Sequence, residues 1–285
     1  MDRAALYTKL DTYLAALAAR DHARLDWAAG ALTSENNVML DPGDGLWGTI
    51  DLLGTYDLRF ADVAARQVGF FGVVHEHKDE SALSLRLQFD AAGAIMEAET
   101  IVVRQQDSGI KFLNPRYWDK AEMNEPPAVR NTRAEMLALA DGYFSTLQQN
   151  DGTLHTAFHP QANRVENGVQ TTHNPEFAYI VPVAALGCEE QFRMGNYRYD
   201  DRLRGRRFPL VDEERGLVLA FGFIDHCGRL QEYQLTDGRT VQSPVRYPHS
   251  FYLAELFKID DGMIRQIEAN FITVPYHMKS PWDEQ

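Results

Sequence analysis

Two segments of this sequence repeat one another, and a duplicated chain must build two like units rather than one irregular core. Leu6, Leu10, Tyr13, Leu14 and Leu17 stand at helical spacing, and Met136, Leu137, Ala140, Tyr143, Phe144 and Leu147 do the same later on. TYLAALAARD and GYFSTLQQND align without a gap, matching Tyr13 to Tyr143, Leu17 to Leu147 and Asp21 to Asp151. A Glu-Asn pair follows in each, Glu35-Asn36 and Glu166-Asn167. Each segment then closes in a hairpin pattern, LSLRLQFDAAGAIMEAETIVV and FYLAELFKIDDGMIRQIEANFITV. There AAG or DDG interrupts strand alternation with residues suited to a tight turn. Six residues past the turn glycine stands a glutamate both times, Glu99 after Gly93 and Glu268 after Gly262.

Pro126-Pro127 can continue neither a helix nor a central strand, so it marks the expected boundary between a first copy at 1–126 and a second at 127–285. Asn36 to Gly93 spans 57 residues and Asn167 to Gly262 spans 95, so the second copy carries about 38 more. We place that excess at 175–216, a stretch rich in Tyr, Phe and Arg, and expect a lid or pocket wall there.

Of the 285 residues 45% are hydrophobic, enough for a buried core in each copy. The formal net charge of -13 opposes binding to nucleic acid or an anionic bilayer. The basic run RLRGRR lies between Asp200-Asp201 and VDEE, which reads as a self-neutralised lid or subunit contact and leaves a homo-oligomer open. No stretch approaches the roughly 20 apolar residues of a membrane span, and the N-terminus lacks a signal-peptide apolar region, so a soluble cytoplasmic protein is expected. Cys188 and Cys227 lack the spacing of a zinc site or a disulfide framework. His155 and His159 form HTAFH without the glutamate of HExxH and with Pro160 immediately after, so neither metal nor cofactor is expected.

The opening YFSTLQQNDG and the closing FYLAELFKIDDGMIRQIEANF resemble the nuclear transport factor 2 superfamily, also called SnoaL-like. The resemblance implies an α+β fold of two tandem cone-shaped domains, each with N-terminal helices packed on a curved antiparallel sheet around an apolar pocket. Such pockets serve isomerases, dehydratases, cyclases and hydrolases, and also non-catalytic binders, so fold alone leaves function open. DPGDGLWGT, QVGFFGVVHE, RVENGVQTTHN and RRFPLVDEERG are similar to a tandem family that includes bacterial lyases of lignin-derived diarylpropanes. The activity implied is cofactor-independent release of the γ-carbon of a diol side chain as formaldehyde, leaving a stilbene.

A two-residue Asp261-Gly262 turn sets Asp260 against Met263 and, in unbroken register, Glu255 directly opposite Glu268. Their shared face would carry Phe251, Leu253, Phe257 and Ile259, where burial and repulsion raise a carboxyl pKa and yield an acid beside a base. The alternative is an arginine-bridged structural network. A three-residue turn in the first copy sets Glu99 opposite Leu85, so the pair is expected in the second copy alone. Arg164 and Glu166 share one strand face, where the guanidinium fork suits a phenolate, a carboxylate or Glu166 itself. Related pockets use a tyrosine of the opening helix, here Tyr143, which otherwise reads as a core aromatic. The candidate catalytic set is thus Glu268, Glu255, Arg164, Tyr143 and His249, the last as an alternative base. Substrate contacts are expected from Glu166, Asn167, His173, Tyr179, Phe192, Tyr197, Tyr252 and Asn270. The activity read from these residues is a lyase acting on an aromatic, hydroxylated small molecule, with a non-catalytic binder or a dehydratase or isomerase as alternatives.

Overall fold

The computed structural model describes residues 1–105, 115–179 and 181–282. In the first half come α1 (Arg3–Ala18), β1 (Trp27–Glu35), β2 (Val38–Met39), α2 (Leu46–Thr49), β3 (Ile50–Asp62), β4 (Gln67–Glu76), β5 (Asp79–Phe89) and β6 (Ile95–Val103). A short α3 (Lys120–Asn124) leads to the second half: α4 (Arg133–Gln149), β7 (Phe158–Glu166), β8 (Val169–Gln170), α5 (Cys188–Arg193) and β9 (Arg202–Asp212). After these run β10 (Leu217–His226), β11 (Glu232–Gln234), β12 (Thr240–Gln242), β13 (His249–Asp260) and β14 (Met263–Val274). The two six-stranded sheets have matching orders, β2-β1-β6-β5-β4-β3 and β8-β7-β14-β13-β10-β9. The fold is α+β, two tandem cones built on sheets of the same strand order.

Local chemistry explains where the long helices begin. Asp2 caps α1 by accepting from the Ala5 amide, and Thr132 with Glu135 forms a capping box at the start of α4. Each helix lays its apolar stripe on one face of its own sheet, giving a core around Leu10, Tyr13 and Leu14 in one half and around Tyr143, Phe144 and Phe257 in the other. A third apolar layer lies between the two sheets, which pack through Phe60, Phe71, Phe221, Phe223 and Leu256.

Three features depart from the sequence expectation. The sheets are not wholly antiparallel: β1 pairs parallel with β6, and β7 with β14, because each chain segment crosses back to the first strand's side at its end. The extra length of the second copy is divided between two places. Before β9, 31 residues follow β8 where the first copy has 10, and 22 residues join β10 to β13 where the first copy has two. The run Arg202–Arg207 is therefore not a lid but part of edge strand β9, with Arg202 and Arg204 paired to Asp225 and Arg206 to Asp141.

The third departure decides which side chains reach a pocket. The Asp260↔Met263 and Ile259↔Ile264 pairs follow the expected register, but Arg265 is then bulged out and Lys258 pairs with Gln266. Glu255 thereby meets Ala269, and Glu268 meets Leu256. A one-residue shift reverses the face of every later residue, so Glu255 faces the cone and Glu268 the layer between the sheets. The first copy has the same bulge at the equivalent position, Met96, and Glu99 pairs with Arg86 rather than Leu85.

Candidate functional site

The cone of the second half encloses a cavity of about 580 Å³. Its floor is a row across three strands, in which Glu166 on β7 and Glu255 on β13 flank Ala269 on β14. Two strand spacings separate the glutamates, about 10 Å between backbones. Ala269 lines the cavity, and its methyl leaves the space between them open.

Glu255 is buried, and desolvation together with the charge of Glu166 pushes its carboxyl up to about 8, with Arg164 and the Tyr143 hydroxyl pulling in the opposite direction. It is thus a protonated acid at neutral pH. Arg164, two residues before Glu166, reaches it from the same strand face, with Nε 3.5 Å from the carboxylate. The guanidinium also donates to Gln191 Oε1 at 2.6 Å and touches the Tyr197 hydroxyl. Gln191, on α5, is itself fixed by donating to the Thr171 and Val183 carbonyls at 2.7 and 2.9 Å. The inserted segment before β9 thus locks the arginine that holds Glu166.

A second polar group lies at the opposite end of the cavity. His249 Nδ1 meets the Tyr247 carbonyl at 2.9 Å, which fixes the proton on Nδ1 and leaves Nε2 as an acceptor. Burial pushes the His249 pKa down, favouring the neutral ring. The ring stacks on His226 with centroids 4.6 Å apart, and His226 Nε2 lies 2.9 Å from Asp200. Phe251, Leu253 and Phe271 line the wall between the two ends.

Six of the thirteen expected site residues line this cavity: Glu255, Arg164, Tyr143, His249, Glu166 and Tyr197. Glu268 does not, because the bulge turns it between the sheets, where Tyr56 donates to it at 2.7 Å and the Asp119 amide at 3.2 Å. Burial raises its pKa to about 7. Tyr252 and Asn270 share that layer, Tyr252 donating to Glu99 and Asn270 to Ser84. Asn167 clamps the sheet, accepting from the Phe271 amide and donating to the Phe271 carbonyl, as Asn36 does with Val102. Phe192 is fully buried beneath Tyr143, their rings 5.3 Å apart. His173 and Tyr179 lie on the surface, Tyr179 at 94% exposure, because the segment that carries them runs outside the cavity. Asp200 and Thr171 were not foreseen: Asp200 reads in sequence only as a counter-charge to the arginine run, and nothing local marks Thr171.

The equivalent row in the first half is Glu35, Thr100 and Leu85, without the acid. Tyr13, Leu46 and Trp47 crowd that cone to about 30 Å³, and Glu35 is occupied by the Leu46 amide and Arg104.

Fold and site together define a tandem α+β cone protein with one cone filled and the other open onto a buried carboxyl. The family model described as "Domain of unknown function (DUF8021)" matches residues 129–271, the half that holds the open cavity, and the chain belongs to that family. No curated protein matches it. Among solved structures, AclR from Streptomyces galilaeus is 14% identical, with 49% of this chain and 90% of that one covered and a TM-score of 0.30. An NTF2-like protein from Cytophaga hutchinsonii is 9% identical over 50% of this chain and 100% of its own, at 0.27. A protein with a cystatin-like fold from Caulobacter vibrioides is 16% identical over 50% and 88%, at 0.28. These likenesses carry nothing about activity, and the fold stands on the sheet topology itself.

Proposed function

We propose that the second half is a cofactor-independent acid–base lyase acting on a hydroxylated aromatic molecule, most concretely a phenolic diarylpropane diol. The observation that supports this reading is the row of Glu255, Ala269 and Glu166, a protonated acid and an arginine-held carboxylate facing one apolar cavity across an alanine-wide gap. Glu255 gives its proton to the departing benzylic hydroxyl, which leaves as water while the phenolate ring supplies electrons to form a quinone methide. Glu166 then takes the proton of the terminal hydroxyl. The bond to the γ-carbon breaks, its electrons restore the aromatic ring, and formaldehyde and a stilbene remain. One proton enters from Glu255 and one leaves to Glu166, so no redox partner is needed.

Incubation with a phenolic diarylpropane diol, assayed for formaldehyde and stilbene fluorescence, tests this. Formation of both products in equal amounts, lost in Glu255→Gln and Glu166→Gln, is the expected result. Ligand binding without turnover leaves a binding protein and sinks the lyase.

A further inference from the structure

We infer that His249, backed by His226 and Asp200, forms a second ligand-recognition pole that accepts a hydroxyl from the far end of a two-ring aromatic molecule. The inference deepens the reading above by naming what the cavity selects, and it rests on that reading for the end of the ligand seated at Glu255.

The geometry supplies three arguments. His249 and Glu255 both lie on the cavity face of β13, six residues apart, which is about 20 Å of strand. That separation leaves room for a two-ring molecule with its benzylic hydroxyl at Glu255, a ring hydroxyl toward His249 and a hydrogen bond beyond each. The wall between carries Phe251, Leu253 and Phe271, with the rings of Phe251 and Phe271 4.9 Å apart, a surface for aromatic rings with no polar partner to offer.

The pole is also built rather than incidental. The Tyr247 carbonyl holds His249 in the tautomer whose free nitrogen accepts, so this end takes a donor such as a phenol. His226 lies flat against His249, is itself only 2% exposed and has its Nε2 2.9 Å from Asp200 Oδ1. Its Nδ1 has no hydrogen-bond partner, a buried polar atom unsatisfied beside the cavity. The buried ring stacked beneath His249 and the Tyr247 carbonyl hold its acceptor toward the cavity side they leave open. Tyr247 comes from the 22-residue β10–β13 connection and Asp200 from the segment before β9, the two places where the second half is longer than the first.

Trans-stilbenes carrying one or two para hydroxyls separate this from a merely apolar slot, because their fluorescence reports binding without turnover. The unmodified protein is expected to bind the two-hydroxyl ligand about tenfold more tightly. His249→Phe removes that tenfold and leaves the one-hydroxyl affinity unchanged, while His249→Gln, which keeps an acceptor, restores part of it. Equal affinity for both ligands in the unmodified protein, equal weakening of both by His249→Phe, or binding of neither overturns the inference. Selective binding with no release of formaldehyde keeps it and rejects the lyase instead.

Discussion

In the proposed reaction Glu255 supplies the proton, and its burial also opposes folding. Its carboxyl titrates near 8 in the native cone but near the ordinary carboxylate value in the unfolded chain. Below the unfolded value both states hold the proton and no difference arises. As pH rises from there to about 8 the unfolded chain gives up its proton first, so native stability falls across that window and levels off above it. Glu255→Gln keeps the shape without the titration. It is expected to lower turnover by about 10²–10⁴-fold while raising the melting temperature at pH 8 by a few degrees, read by the activity assay and calorimetry on the same sample. A variant both inactive and less stable at that pH would place Glu255 in the framework. The Tyr143 hydroxyl holds the Glu255 pKa down. Tyr143→Phe should therefore move the alkaline limb of the pH–rate profile to higher pH; an unmoved limb assigns that limb to another group.

At the scale of elements, two devices recur in both halves and neither is visible in side-chain pattern alone. The hairpin alternation, the turn glycines and the helix stripes were legible because each is a local preference. The bulges at Met96 and Arg265 were not, since a bulge leaves the same apolar and polar alternation on either side of one extra residue. That single residue puts Glu255 at the cavity and Glu268 in the layer between the sheets. Arg164 with Glu166 was legible from strand alternation, whereas Asp200 reaches the cavity only through the path of the insertion. The other device is the asparagine clamp. Asn167 takes a φ of +47° and exchanges two hydrogen bonds with Phe271, tying the end of β7 to β14. Asn167→Ala loses both bonds and strains the backbone, an expected loss of about 2 kcal/mol. Urea unfolding should show it as a lower midpoint at unchanged slope, with stilbene affinity retained because Asn167 does not line the cavity.

Across the whole molecule the duplication has become an intramolecular pseudo-dimer. Arg3 at the start of α1 donates to Asp212 in the other half at 2.6 and 2.7 Å, and Arg133 at the start of α4 reaches back to Asp62. The same aspartates exchange backbone bonds, Asp62 accepting from Val211 at 3.0 Å and Asp212 from Ala61 at 2.9 Å. Glu99 and Glu268 repeat the exchange in the layer between the sheets, Glu99 bound by Arg207 and Tyr252 and Glu268 by Tyr56. With the halves so joined, one cone is filled and the other is open. Asp212→Ala leaves the Ala61 and Arg215 amides without their acceptor and Arg3 with only the exposed Glu214 as counter-charge, so it should destabilise the chain by about 2–3 kcal/mol. The halves should also unfold in one calorimetric transition. A fragment of residues 127–285 bares Phe221, Phe223, Leu256 and Ile272, all buried in the intact chain, as one continuous apolar sheet face. Light scattering of that fragment is expected to show self-association, with solubility recovered on adding residues 1–126. A soluble monomeric fragment that still binds a hydroxylated stilbene would show instead that the first half is dispensable to the cone.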